Sequence, residues 1–146
     1  MKRILLLVTV ASMLAAAMAL SGVARAGPVG SKADAQCMTL ANKTLGSSFK
    51  PSNYTFIGGT AGNDTFTGTD GQREVFCGFG GDDSIGTLGG GDIFLGGAGN
   101  DSVTSTTNGG TFNGDAGDDH VHINNGTFNG GDGTDSVGTN NGTFVQ

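Results

Sequence analysis

The chain has 146 residues, 29 of them glycine and none tryptophan, with 7 lysines or arginines against 13 aspartates or glutamates and a formal charge of −6. Two prolines exclude collagen, and a glycine share about three times the usual one excludes a conventional helical or dinucleotide-binding domain. The acidic balance argues against nucleic acid as a partner.

Residues 1–26 read as an export signal. Lys2 and Arg3 form a positive head, Ile4 to Leu20 is almost wholly apolar, and Ala24-Arg25-Ala26 supplies an A-x-A cleavage site. A single membrane anchor is the alternative for a run of this length. Cleavage after Ala26 starts the mature chain at Gly27, in a secreted, extracellular setting. Losing Lys2, Arg3 and Arg25 takes the formal charge from −6 to −9.

Residues 27–57 are expected to form an N-terminal cap segment. Within it, 31–45 (SKADAQCMTLANKTL) predicts a short helix with Ser31 as N-cap and Gly46 as stop. Cys37, Leu40, Ala41 and Leu45 form its apolar stripe. In an exported chain, Cys37 and Cys77 are expected to be disulfide-bonded, with free thiols or an intermolecular link as alternatives.

From Gly58 to Gln146 lie 25 of the 29 glycines, every acid but Asp34, and a single base, Arg73. So charged and aliphatic-poor a stretch stays disordered unless something neutralises it. It is also repetitive. GTAGNDTFT (59–67), GFGGDDSIG (78–86), GGAGNDSVT (96–104), GDAGDDHVH (114–122) and GGDGTDSVG (130–138) share glycine at positions 1 and 4, aspartate at 6 and an apolar residue at 8. Weaker units alternate with them: GTDGQREVF (68–76), TLGGGDIFL (87–95), STTNGGTFN (105–113) and shortened ones around 124–128 and 140–144.

These nonapeptides follow the pattern G-G-x-G-x-D-x-U-x, and over 58–146 the chain resembles the repeats-in-toxin (RTX, haemolysin-type) calcium-binding family. The resemblance implies an all-β fold, a right-handed parallel β-roll (solenoid), here with a short N-terminal helical cap. Two nonapeptides make one turn, and calcium lies between loops stacked on successive turns. Loop carbonyls plus one carboxylate from each neighbour suit calcium's demand for six to eight oxygens.

Period-2 alternation predicts inward residues Phe66, Ile85, Val103, Val121 and Val137 in the strong units. In the weak units it predicts Val75, Phe94, Phe112, Phe128 and Phe144. The position-6 aspartates Asp64, Asp83, Asp101, Asp119 and Asp135 would then stack on one edge as the metal ligands, with up to four calcium ions in the four gaps. On the other edge position 6 reads Arg73, Asp92 and Gly110, so Asp92 is expected to lack an acidic partner and that edge to bind little calcium. Asn108, Asn124, Asn125, Asn140 and Asn141 are expected to satisfy backbone groups there instead. Asp82, Asp115, Asp118 and Asp132 are read as adding negative field rather than as ligands.

Phe76, Ile93 and Leu95 are expected to face outward beside Cys77, under Tyr54 and Phe56. Thr111, Thr127 and Thr143, with Asn113 and Asn129, form an outward row. Such a row raises adhesion or ice binding as an alternative role, although β-propensity explains it too. His120 and His122 alternate outward on one strand; a transition metal would find no third ligand, and a solvated strand is the plainer reading. No nucleophile, base and oxyanion site assembles, so no enzyme is expected. The resemblance therefore implies calcium as cofactor and partner, with any protein or glycan partner unidentified.

Overall fold

The computed structural model describes residues 31–107 and 109–146. The export signal lies outside the described residues. Eleven short strands among them form two parallel sheets, visited alternately by the chain. The first sheet contains β1 (Thr55–Gly58), β3 (Glu74–Gly80), β5 (Ile93–Ala98), β7 (Thr111–Ala116), β9 (Thr127–Asp132) and β11 (Thr143–Val145), in that order. The second contains β2 (Thr65–Phe66), β4 (Ser84–Leu88), β6 (Ser102–Thr106), β8 (His120–Asn124) and β10 (Ser136–Asn140). Every strand pairs in parallel with the equivalent strand one turn away, which is the expected parallel β-roll.

The core is one residue wide in most strands, with Leu88 of β4 and Ile57 of β1 added to it. Phe66, Ile85, Val103 and Val121 are buried in register on the second sheet, and Val137 packs partly against them. Opposite them Phe76, Phe94, Phe112 and Phe128 are buried, followed by half-buried Phe144. From Phe94 to Phe144 the rings stack face to face, with centroids 4.8–5.0 Å apart and planes within 10°. In-register parallel pairing forces this geometry, because identical residues in successive turns lie one strand spacing apart. Aromatic pairs of this kind add about 0.5–1.5 kcal/mol each beyond the area they bury.

One expectation fails here. Phe76, not Val75, points inward, and Val75 lies on the outer face with Cys77, Ile93 and Leu95. The cause is one extra residue in the loop between Phe66 and Glu74, which separates Asp64 from Asp83 by 19 residues instead of 18. A one-residue shift exchanges the two faces of a strand.

The N-terminal helix is α1, Lys32–Leu45. Ser31 Oγ accepts from Asp34 N at 3.0 Å, while Asp34 Oδ2 accepts from Ser31 N at 3.2 Å, completing a capping box. Gly46, at φ 78°, ends the helix. Cys37 and Ala41 are fully buried against Val75, Cys77, Ile93 and Leu95, with Leu40, Leu45, Phe49, Tyr54, Phe56 and Phe79 closing the cluster. Asp34 also accepts from Gly58 N at 3.1 Å. At Gly58 a Cβ would strike the Ala33 backbone, so glycine lets the helix lie directly on β1. Thus α1 covers the outer face of the first sheet at its N-terminal end. The Cys37–Cys77 disulfide fixes it there, with Cα atoms 5.5 Å apart across a sequence separation of 40.

Beyond this cover, Thr111, Thr127 and Thr143 line up across β7, β9 and β11, and Asn129 Nδ2 donates to Asn113 Oδ1 at 2.7 Å. Among the described residues no helix is long and apolar enough to cross a membrane.

Candidate metal centre

The five strong loops connect the first sheet to the second along one edge. Their position-6 aspartates, Asp64, Asp83, Asp101, Asp119 and Asp135, are stacked there and buried, none more than 7% exposed. They form a ladder. Asp64 N donates to Asp83 Oδ1 (2.6 Å), Asp83 N to Asp101 Oδ1 (2.8 Å), Asp101 N to Asp119 Oδ1 (2.7 Å) and Asp119 N to Asp135 Oδ1 (3.0 Å). Each carboxylate after Asp64 therefore spends one oxygen holding the turn before it.

The other oxygen is different. Oδ2 of Asp83, Asp101, Asp119 and Asp135 is buried with no hydrogen-bond partner, as is Oδ1 of Asp64, whose Oδ2 accepts from Thr60 N at 2.6 Å. A buried polar atom without a partner costs about 1–3 kcal/mol, more when charged. Five in one row are a systematic feature.

Position 1 of the loops shows what surrounds these oxygens. A Cβ at Gly78, Gly96, Gly114 or Gly130 would collide with the carboxylate of its own loop. A Cβ at Gly96 or Gly114 would also crowd a carbonyl of the next turn, lying 3.0 Å from Gly114 O or 2.6 Å from Gly130 O respectively. Between adjacent turns, carboxylate and carbonyl oxygens thus crowd against the position-1 glycines, where no further side chain fits. Hard divalent cations favour that donor set. At position 4, Gly99 and Gly117 have φ of 130° and 138°, which only glycine adopts readily, and a side chain there would strike the preceding turn.

Burial raises the carboxyls of Asp83 and Asp101 to a pKa of about 7 and that of Asp119 to about 6. Desolvation is the main cause. The ladder hydrogen bond works against it, and neighbouring aspartates add repulsion. Asp115 is also raised by burial.

Position 5 carries a second ladder that the sequence analysis missed. Asp82 N donates to Asn63 Oδ1, Asn100 N to Asp82 Oδ1, Asp118 N to Asn100 Oδ1 and Thr134 N to Asp118 Oδ1, all at 2.8–2.9 Å. Its bonds run opposite to those of position 6. Asp82 and Asp118 therefore hold register as well as adding charge; the Asn/Asp alternation at 63, 82, 100 and 118 was the available signal.

The opposite edge corrects the reading of Asp92. The same extra residue places Glu74, not Arg73, one turn before it, so Asp92 has an acidic neighbour: Glu74 N donates to Asp92 Oδ1 at 3.0 Å. Arg73 instead lies over the Tyr54 ring at 4.8 Å. Both buried acids have loop donors: Asp92 Oδ2 accepts from Gly89 N (2.9 Å) and Glu74 Oε2 from Thr69 N (2.6 Å). Farther along, buried Thr106 donates to Asn124 Oδ1 at 2.8 Å, and Asn124 Nδ2 donates to Asn140 Oδ1 and Thr143 O, each at 2.9 Å. Asn125 Nδ2 donates to Thr106 O, and Asn141 Nδ2 to Asn125 Oδ1. Asn108 lies outside the described residues.

No family model matches this chain. No curated protein and no solved structure matches it either. Its chemistry must be read from its own geometry. Among the described residues no three His, Cys, Asp or Glu side chains converge on one point. The aspartates come one per turn, so any cation between turns would take the rest of its shell from backbone carbonyls. The donors present fit a hard, oxygen-seeking ion better than one selecting nitrogen or sulfur.

Proposed function

We propose that this protein is an exported calcium-binding β-roll related to the repeats-in-toxin family, with a structural or surface-associated role and no catalytic activity. Asp64, Asp83, Asp101, Asp119 and Asp135 hold up to four calcium ions in the four gaps between strong loops, together with loop carbonyls. One observation carries the reading: a row of buried carboxylate oxygens without hydrogen-bond partners, close to backbone carbonyl oxygens of the next turn. When bound, calcium supplies positive charge to that row. The aspartates position it and, through the ladder, tie each ion to two turns. Folding free energy and ion binding are then linked by mass action. Extracellular calcium sites work at about 10⁻⁴–10⁻³ M, which suits a protein that folds after export. The leader at 1–26 and the Cys37–Cys77 disulfide support secretion.

The test is a calcium titration of the mature protein, read by circular dichroism and native mass spectrometry. Three or four ions per chain, bound as β-structure forms, support the proposal. Fewer than three ions, or full β-structure in excess chelator, contradict it. Calcium-dependent binding to cells, glycans or ice, lost when Thr127 is replaced, would move the role to adhesion through the outer sheet.

A further inference from the structure

We propose a second, independent metal site on the outer face of the second sheet, where His120 and His122 form an open two-imidazole chelate for a d-block cation of the zinc(II) class. Three observations carry it. The first is rigidity. Val121 between them is fully buried and pairs with Val103 on one side and Val137 on the other, so β8 is clamped and both histidines emerge on one face.

The second is spacing. The ring centroids are 6.5 Å apart. Binding one ion at about 2 Å from a nitrogen of each ring requires the exposed His122 side chain to rotate. The strand neighbours Ser102 and Ser136 beside His120 are small, and Gly138 lies against the His122 backbone, so the approach from solvent is open.

The third is orientation. His120 Nδ1 lies 2.9 Å from Ser136 Oγ. In the tautomer that donates Nδ1–H to this hydroxyl, the free lone pair is on Nε2. Ligating histidines characteristically have such a partner on the second nitrogen. Imidazole selects zinc, nickel or copper over calcium, so this site and the aspartate edge do not compete for the same ion. Two protein ligands leave the remaining positions to water or to a ligand from another molecule.

The chain has two histidines, so their signals can be followed individually. The experiment titrates zinc(II) into untagged, mature protein in excess calcium, read by the proton resonances of both imidazoles and by calorimetry. The expected result is one zinc per chain with both imidazoles shifting together, a joint response that His120→Ala or His122→Ala removes. Ser136→Ala should weaken binding about ten-fold while both imidazoles still respond. Zinc binding that persists unchanged in both histidine variants, a shift of only one imidazole, or no binding would overturn the site. None of these readouts depends on calcium filling the aspartate edge.

Discussion

Asp101→Asn separates the two roles of the ladder aspartates, because asparagine keeps the shape and removes the charge. Its Oδ1 can still accept from Asp83 N, and its amide nitrogen replaces the partnerless Oδ2 beside Gly96. Above pH 7 the metal-free protein carries an ionised Asp101 whose pKa has risen from 3.8 to about 7. At about 1.4 kcal/mol per pH unit this is an upper bound of about 4 kcal/mol. Solvent screening and the cost of burying an amide reduce it to about 2 kcal/mol, a factor of about 30 in the folding equilibrium. In chelator at pH 8, Asp101→Asn should therefore be more folded than the parent, by circular dichroism or the midpoint of thermal unfolding. In saturating calcium the sign reverses, since Asp101 borders two gaps and both should lose affinity in calorimetry. A variant equally destabilised with and without calcium, and with unchanged ion stoichiometry, would refute the assignment of these carboxylates to cation binding.

Three further outcomes follow from the same geometry. Between about pH 4 and pH 7 the folded metal-free chain holds protons on Asp83, Asp101 and Asp119 that the unfolded chain has shed, so its stability in chelator falls as pH rises and calcium affinity increases over the same window; urea midpoints that rise with pH in chelator would contradict this. Phe112→Ala removes the middle ring of the stack and should cost about 3–5 kcal/mol, measured as a lower denaturant midpoint in saturating calcium. Reducing Cys37–Cys77 releases a constraint worth roughly 3–4 kcal/mol in the chain-entropy model and should expose α1 to hydrogen exchange before the strands beyond β5.

The alternation of strong and weak nonapeptides was enough to place nine of the twelve residues of the inner core cluster, because period 2 within strands and period 18 between them reinforce each other. It misplaced Val75 because Gly68-Thr69-Asp70-Gly71 mimics the start of a repeat, although one residue of that loop is surplus. Where an insertion lies within a loop is decided by backbone hydrogen bonds and by burial of Phe76, and neither leaves a local signature. Arg73 was placed on the ladder for the same reason. The helix boundaries were legible through Ser31 and Gly46, but the second role of Asp34, accepting from Gly58, joins residues 24 apart and depends on the docked helix. Within the candidate site the stacking of the five aspartates on one edge was legible from their spacing together with the resemblance to the repeats-in-toxin family. Their partnerless oxygens were not, because these depend on which loop amides point toward each carboxylate.

That last difference makes the two edges of one roll unequal in a way exchange experiments can resolve. At the opposite edge, Asp92 meets Glu74 N and Gly89 N, Glu74 meets Thr69 N, and the following turns use the neutral ladder of Thr106, Asn124 and Asn140. At the aspartate edge, every turn carries a buried carboxylate oxygen without a donor. Both edges connect the same strands, so the thin core stabilises them equally and the difference between them is electrostatic. Removing calcium should therefore open the roll from one side. In chelator at pH 8, the amides of Asp83, Asp101 and Asp119, which donate along the aspartate ladder, should lose protection well before those of Asn125 and Gly126, which donate to Thr106 Oγ1 on the other edge. Equal loss of protection at both edges would mean that the carboxylate row does not govern where the roll unfolds, and the repulsion argued for it would have to be abandoned.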